Sequence, residues 1–307
     1  MIIDKKNIEI LSKNLSELNE VDGRSLWHDA RIRFFKNKAA VTSLIFLIIV
    51  LLFSFIGPFF AQWNNEEIDW GVLGDISTLG SPSIETGHFF GTDTLGRDLF
   101  VRTLYGGRIS LLVGVVASVV SLLIGISYGA TAGYFGGRLD AIMMRFVDIL
   151  YAMPFMFFVI LLMVFFGRNI LLIFVAIGAI NWLDMARIVR GQTLSLKQRE
   201  FVEAAQAQGV GALAILVRHI VPNLLGVVAV YITLTIPQVI LVESFLSFLG
   251  LGVQEPMTSW GALVKEGSEE METAPWMLLF PAFLLATTLF CFNFIGDGMR
   301  DALDPKD

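Results

Sequence analysis

Apolar residues in this chain gather in long unbroken runs rather than in alternating stripes. Six runs stand out, over residues 39–61, 109–133, 149–167, 169–186, 223–250 and 275–296, and they carry almost no charge. A helix needs ~20 mostly apolar residues to cross the hydrocarbon of a bilayer, within a range of ~17–25. Each run reaches that length, so the pattern predicts an all-α membrane protein with six transmembrane helices. Buried core helices would give the same local pattern, but a water-soluble domain of this size cannot hide six of them.

The polar interruptions predict which side is which. With the N-terminus inside, the inner segments carry Arg24, Arg31, Arg33, Lys36, Lys38, Arg138, Arg145, Arg187, Arg190, Lys197, Arg199, Arg218, Arg300 and Lys306. The outer segments carry Arg97, Arg102, Arg108, Arg168 and Lys265. Fourteen cations against five place both termini in the cytoplasm, because Lys and Arg are retained on that side. The domains then read as a cytoplasmic segment 1–38, a first span 39–61, an outer loop 62–108, a permease domain 109–298 and a cytoplasmic tail 299–307. The outer loop is acidic, and Trp63 and Trp70 lie near its boundary as an interfacial aromatic belt would. Its three arginines run against the trend.

Residues 195–222, between the fourth and fifth runs, face the cytoplasm in this topology. Ser195 followed by Gln198 fits a capping box, predicting a helix start there. The helix runs through Glu203, Ala204 and Ala205 to Gly209, a natural residue just past a helix end. A short apolar helix over 212–217 follows, and Pro222 marks the beginning of the fifth span. The alanines make the first helix thin enough to lie deep in a groove on a partner. A surface helix resting on lipid headgroups fits the composition equally well.

Ser121, Gly125, Gly129 and Gly133 recur every four residues in the second span. Small residues at this spacing let another helix approach closely, which matters where lipid removes any hydrophobic drive between helices. Prolines 154, 222, 237 and 281 punctuate the third, fifth and sixth spans. Glu243 is the ionisable residue set deepest in an apolar run, a possible member of a transport path or part of a packing pair. No chain of Asp, Glu and His crosses the bilayer, which argues against proton-driven transport.

Composition agrees with lipid as the solvent. The chain is 55% hydrophobic and 16% charged, with a mean hydropathy of +0.70, whereas a soluble domain carries about 25% charged residues. A net charge of −6 excludes the basic stripe that nucleic acids require. Cys291 is the single cysteine, so no intrachain disulfide can form. The polar first residues lack the apolar core of a cleaved signal peptide. No GxxxxGK[ST] loop is present to cradle phosphates. His28, His88 and His219 are scattered over both sides of the membrane, which gives no metal site. No nucleophile and base pair can be assigned, so catalytic residues are expected to be none.

The pattern Glu203-Ala204-Ala205, then Gly209 and Pro222, resembles the EAA loop of ABC importer membrane subunits. His219-Ile220-Val221-Pro222 departs from the general Ile-x-Leu-Pro ending and is similar to the peptide and nickel branch. GTDTLGRDLFVRTLYGGRISL (91–111), SFLSFLGLGVQEPMTSWGAL (244–263) and FNFIGDGMRDALDPK (292–306) resemble the C-type subunits of that branch. GRSLWHDARIRFFKNKAAV (23–41) and FVAIGAINWLDMARIVRGQTLSLK (174–197) look most like those of oligopeptide permeases. The resemblance covers nearly the whole chain from residue 23 and is specific as a set, while any one motif is moderate.

It implies a type I ABC importer permease fold in the cytoplasmic membrane of a bacterium. It implies a heterodimer with a B-type permease subunit, two ATPase subunits that hold ATP and Mg, and an extracytoplasmic peptide-binding protein. This chain would itself bind no cofactor, and Glu203, Ala204, Ala205, Gly209 and Pro222 would couple it to the ATPases. Dipeptide, murein-peptide and nickel importers share most of these motifs and stay open. A secondary transporter is the rival from another class, and it would need ion-coupling residues or broken helices in matching halves.

Overall fold

The structure is a computed structural model that describes residues 26–73, 75–166 and 170–303. These residues are helical almost throughout, with isolated bridges at Ile68–Arg97 and Thr92–Asp98 and no strand among them. A short helix, α1 (Leu26–Lys36), leads into α2 (Lys38–Ile56). Asn37 separates them, and its Oδ1 accepts from the amides of Ala39 and Ala40 at 3.1 and 3.2 Å, satisfying two orphan donors of α2. A single turn, α3 (Ile76–Leu79), interrupts the outer loop.

The long helix α4 (Leu99–Phe135) begins ten residues before the expected edge of the second span. Asp98 fixes that start by accepting from the Val101 amide at 2.8 Å. Leu99, Val101 and Leu104 are buried, so the first of these nearly three extra turns packs as protein core rather than as loop. The loop expected to run to Arg108 therefore ends at Asp98.

The third expected span needs a larger correction. Residues 149–152 belong to α5 (Gly137–Ala152), an amphipathic helix bearing Arg138, Asp140, Arg145 and Asp148. Met153 turns extended (ψ 134°) ahead of Pro154, as steric conflict with a following proline ring demands. α6 (Phe155–Phe166) follows with 12 residues, about 18 Å of helix. Residues 167–169, at the expected junction of the third and fourth spans, lie outside the described residues.

α7 (Ile170–Leu196) overruns the expected end of the fourth span by ten residues. Ser195 is consequently inside a helix, and the expected capping box is absent. α8 (Glu200–Ala207) starts instead at Arg199, whose backbone is extended and whose side chain makes no cap bond. α9 (Ala212–Ile215) runs without a break through a π turn, Leu216–Ile220, into α10 (Val221–Phe248). Pro222 lacks an amide hydrogen, and its ring would press on the carbonyl one turn back; widening the preceding turn relieves both. α11 (Trp260–Glu269) and α12 (Trp276–Leu303) complete the chain.

Among the described residues four stretches are long and apolar enough to cross a membrane: Lys38–Phe60, Leu99–Phe135, Ala212–Phe248 and Trp276–Leu303. α4 and α7 form the most extensive helix pair. Gly125, Gly129 and Gly133 face it, and a methyl on Gly125 would lie 2.6 Å from Met185 Cβ. Gly114 turns towards α10, where an added methyl would meet Ile240 Cγ1 at 2.6 Å. Ser121 is buried on the same helix.

Candidate functional site

α8 is held firmly from below and left bare above. Val202 and Ala205 are buried against Ala130, Tyr134, Met185, Val189, Ile215 and Leu216, a cluster drawn from α4, α7 and the turns after α8. Lys197 reinforces the approach, its Nζ donating to the Tyr134 carbonyl at 2.6 Å. On the opposite face Phe201, Glu203, Ala204, Ala207 and Gln208 are exposed. Glu200 and Glu203 sit in the first turn, where the helix dipole favours negative charge.

The far end closes as a Schellman motif: the Gly209 amide donates to the Gln206 carbonyl at 2.9 Å and the Val210 amide to the Ala205 carbonyl at 3.1 Å. Gly209 takes φ +81°, a conformation that side chains disfavour. The arrangement presents two carboxylates, Glu200 and Glu203, and the methyl groups of Ala204 and Ala207 on a fixed, narrow ridge. Such a ridge can enter a cleft and transmit force, and it has no group that could do covalent chemistry. Pro222 lies 13 residues past Gly209, at the start of α10 and exposed.

The opposite end of the molecule holds an ionic cluster that the sequence patterns did not assemble. Asp93 accepts from Arg97 Nε at 2.7 Å, from the amides of Leu95 and Arg97 at 2.9 Å each, and from Arg102. Arg102 reaches across to Glu266 at 2.9 Å, and Arg97 to Glu255 at 2.9 Å. Burial opposes the charge on Arg97, but Asp93 and Glu255 outweigh it and raise its pKa. Arg108 donates to the Ser54 carbonyl at 2.7 Å and lies over the Tyr105 ring at 4.2 Å. These contacts account for the three arginines that run against the expected charge trend. Two are neutralised by acids of the same face, and the third closes the end of α2.

Beside this cluster His88 is buried with Nδ1 2.8 Å from Asp98 and Nε2 3.4 Å from Asp69, and its ring stacks on Trp63 at 4.7 Å. Burial pulls the imidazole pKa down, yet the hydrogen bonds and charges of Asp98 and Asp69 prevail and raise it.

Glu243 is fully buried in the C-terminal half of α10. Ser247 Oγ donates to it at 2.7 Å and Ser110 Oγ at 3.2 Å. Ser259 Oγ donates to Ser247 Oγ at 3.1 Å, and the Trp260 amide to Ser110 Oγ at 3.2 Å. This knot ties α4, α10 and the start of α11 together, with serine hydroxyls in place of a cation.

Residues 121–306 match the family described as binding-protein-dependent transport system inner membrane component. Residues 25–74 match the N-terminal TM domain of oligopeptide transport permease C. The oligopeptide transport system permease protein OppC of Escherichia coli (strain K12) is 60% identical, with 100% of both chains covered. The protein of that name from Haemophilus influenzae is 58% identical over 99% of this chain and 97% of its own. The dipeptide transport system permease protein DppC of Bacillus subtilis is 44% identical over 92% of this chain and 86% of its own. The exposed α8 ridge, the apolar spans and these matches lead to one conclusion: the chain belongs to the inner membrane components of binding-protein-dependent transport systems, non-catalytic subunits that sit in the membrane as multi-pass permeases.

Proposed function

We propose that this chain is the C-type permease subunit of an ATP-driven importer of oligopeptides in the cytoplasmic membrane of a bacterium. The observation that carries the reading is its 60% identity, over the full length of both chains, to an oligopeptide permease. The 44% identity to a dipeptide permease supports a sister substrate less strongly.

In this reading α2, α4, α6, α7, α10 and α12 are the six spans, and both termini are cytoplasmic. A B-type permease subunit pairs with the chain in the membrane. Two ATPase subunits carry ATP and Mg, and one receives the α8 ridge in its cleft. Exposed Ala204 and Ala207 allow close approach, and the Glu203 carboxylate is matched by a donor or cation of the ATPase. Closure of the ATPases moves α8, and its anchored face passes the motion to α4 and α7 as rigid-body rocking. ATP and the loaded binding protein then bias outward-facing and inward-facing populations. The outer loop up to Asp98 and the segment 252–272 receive the binding protein.

The test is uptake by cells with and without the gene, offered labelled peptides of two to five residues and, separately, nickel ions. Loss of tetra- and pentapeptide uptake on deletion is the expected result. Loss confined to dipeptides or nickel would transfer the chain to a sister system.

A further inference from the structure

α7 and α10 present a polar strip to open space midway along their length. Asn181, Asp184 and Arg187 from α7 and Tyr231, Thr235 and Gln238 from α10 line a cavity of about 310 Å³. Through Tyr231 and Leu234 it adjoins a larger cavity of about 620 Å³ that reaches Gln192, Asn223 and Arg300 at the inner end of the helices. Acyl chains are a poor solvent for such a strip, so it is turned away from lipid.

The charges in the smaller cavity are unequal in their freedom. Arg187 is engaged, its Nη2 donating to Asp148 at 2.8 Å while its guanidinium covers the Tyr151 ring at 4.3 Å. Asn181 gives its amide hydrogen to the Ile177 carbonyl at 2.9 Å, which leaves its oxygen as an acceptor. Thr235 donates back to the Tyr231 carbonyl at 2.7 Å. Asp184 is exposed, and among the described residues it makes no ion pair. The cavity therefore offers one carboxylate with no ion-pair partner among the described residues, beside an Arg187 already held by Asp148 and otherwise among acceptors and neutral groups, a setting for a cation that brings its own hydrogen-bond donors.

We propose that Asp184 is the subsite for the α-ammonium group of a peptide in transit, with the Asn181 oxygen as a second acceptor. The assignment rests on the peptide-importer reading and specifies where that cargo is held. An ammonium is common to every unblocked peptide whatever its side chains, so a carboxylate here can pass varied sequences without reading them. The neutral hydrogen-bonding groups on α10 suit the peptide backbone that follows.

The experiment uses the complete transporter in proteoliposomes, with partner permease, ATPases and binding protein. Asp184→Asn lowers trialanine uptake about tenfold, the loss expected of one charge-assisted hydrogen bond. ATP hydrolysis stimulated by the loaded binding protein stays unchanged, and Asp184→Glu keeps uptake within about twofold of wild type. Wild-type uptake after Asp184→Asn overturns the subsite and leaves the importer reading intact. Equal loss of uptake and ATP hydrolysis assigns the residue to the scaffold instead.

A second measurement needs no turnover. Ile188→Cys in a Cys291→Ser background puts a reporter in the same cavity one helical turn from Asp184. Trialanine slows its labelling by a neutral thiol reagent more than N-acetyl-trialanine does, and adding Asp184→Asn removes the difference. Equal protection by the two peptides refutes ammonium recognition. A wild-type transporter that moves no peptide at all would sink the importer reading, and this subsite with it.

Discussion

Gly129 offers the sharpest test of how α4 and α7 are joined. A methyl group added there would overlap the Ala186 carbonyl oxygen, with Val189 Cβ at 2.9 Å and the Arg190 amide nitrogen at 3.0 Å. Two of these three atoms are backbone, so no rotamer change can clear the space. Overpacking of a tight contact costs about 1–3 kcal/mol, and an immovable neighbour selects the upper end. Replacing a helical glycine by alanine returns about 1 kcal/mol through backbone entropy. Gly129→Ala should then destabilise by about 2 kcal/mol, or roughly 4–8 °C in melting temperature on the scaling for domains of similar size.

Gly191 is the matched control, on α7 itself with no atom within 4 Å of an added methyl. Gly191→Ala should melt about 2–4 °C above wild type. The assay is thermal unfolding of the purified assembly in one detergent, followed by tryptophan fluorescence. A Gly129→Ala protein melting at or above wild type would refute the close-packed seam, and Gly129→Leu should then assemble normally too.

Three further outcomes follow from the rest of the molecule. Glu203→Lys should insert normally yet retain less than about a tenth of transport, since one charge-assisted contact is replaced by repulsion; copurification of the ATPases reads the coupling directly, and wild-type uptake would dismiss it. The raised pKa of His88 means that protonation favours the folded outer loop. Its contribution is complete below the unfolded value near 6.5 and declines as pH rises through the higher folded value. Melting curves of wild type and His88→Gln should converge towards alkaline pH, and a constant gap would contradict the ion-pair account. Arg102→Met should cost about 3 kcal/mol, because Glu266 and Asp93 lose a buried cation, with Arg97 left to hold Asp93; proteolysis of the 252–272 segment should accelerate, and unchanged cleavage rates would count against the clasp.

The sequence was most legible where one periodicity and one solvent decided the outcome. The first, second, fifth and sixth apolar runs each became a helix, the second starting ten residues early, and Gly209 ended α8 as a left-handed residue should. The failures lie where tertiary contacts overrode local signals. Ser195 has the spacing of a cap, but α7 continues through it because Thr193 packs on Gly133 and Lys197 reaches back to Tyr134. The start of the third run was misjudged because Ile149 to Ala152 are apolar yet finish an amphipathic helix that Pro154 then breaks. Arg102 and Glu266 are 164 residues apart in the chain, and no local pattern announces their pairing. The anomalous arginines of the outer loop were the one visible hint.

The unbroken helical rod from Ala212 to Phe248 has a mechanical meaning. Its 37 residues span about 55 Å, so a tilt of about 10° swings one tip by roughly 10 Å relative to the other. The near tip is packed under α8, and the far tip is bolted through Glu243 and Ser247 to Ser259. A small push at one end thus arrives at the other as a larger stroke, with the π turn and Pro237 as the softest points for a fulcrum. The rod is a lever, and its length sets the gain.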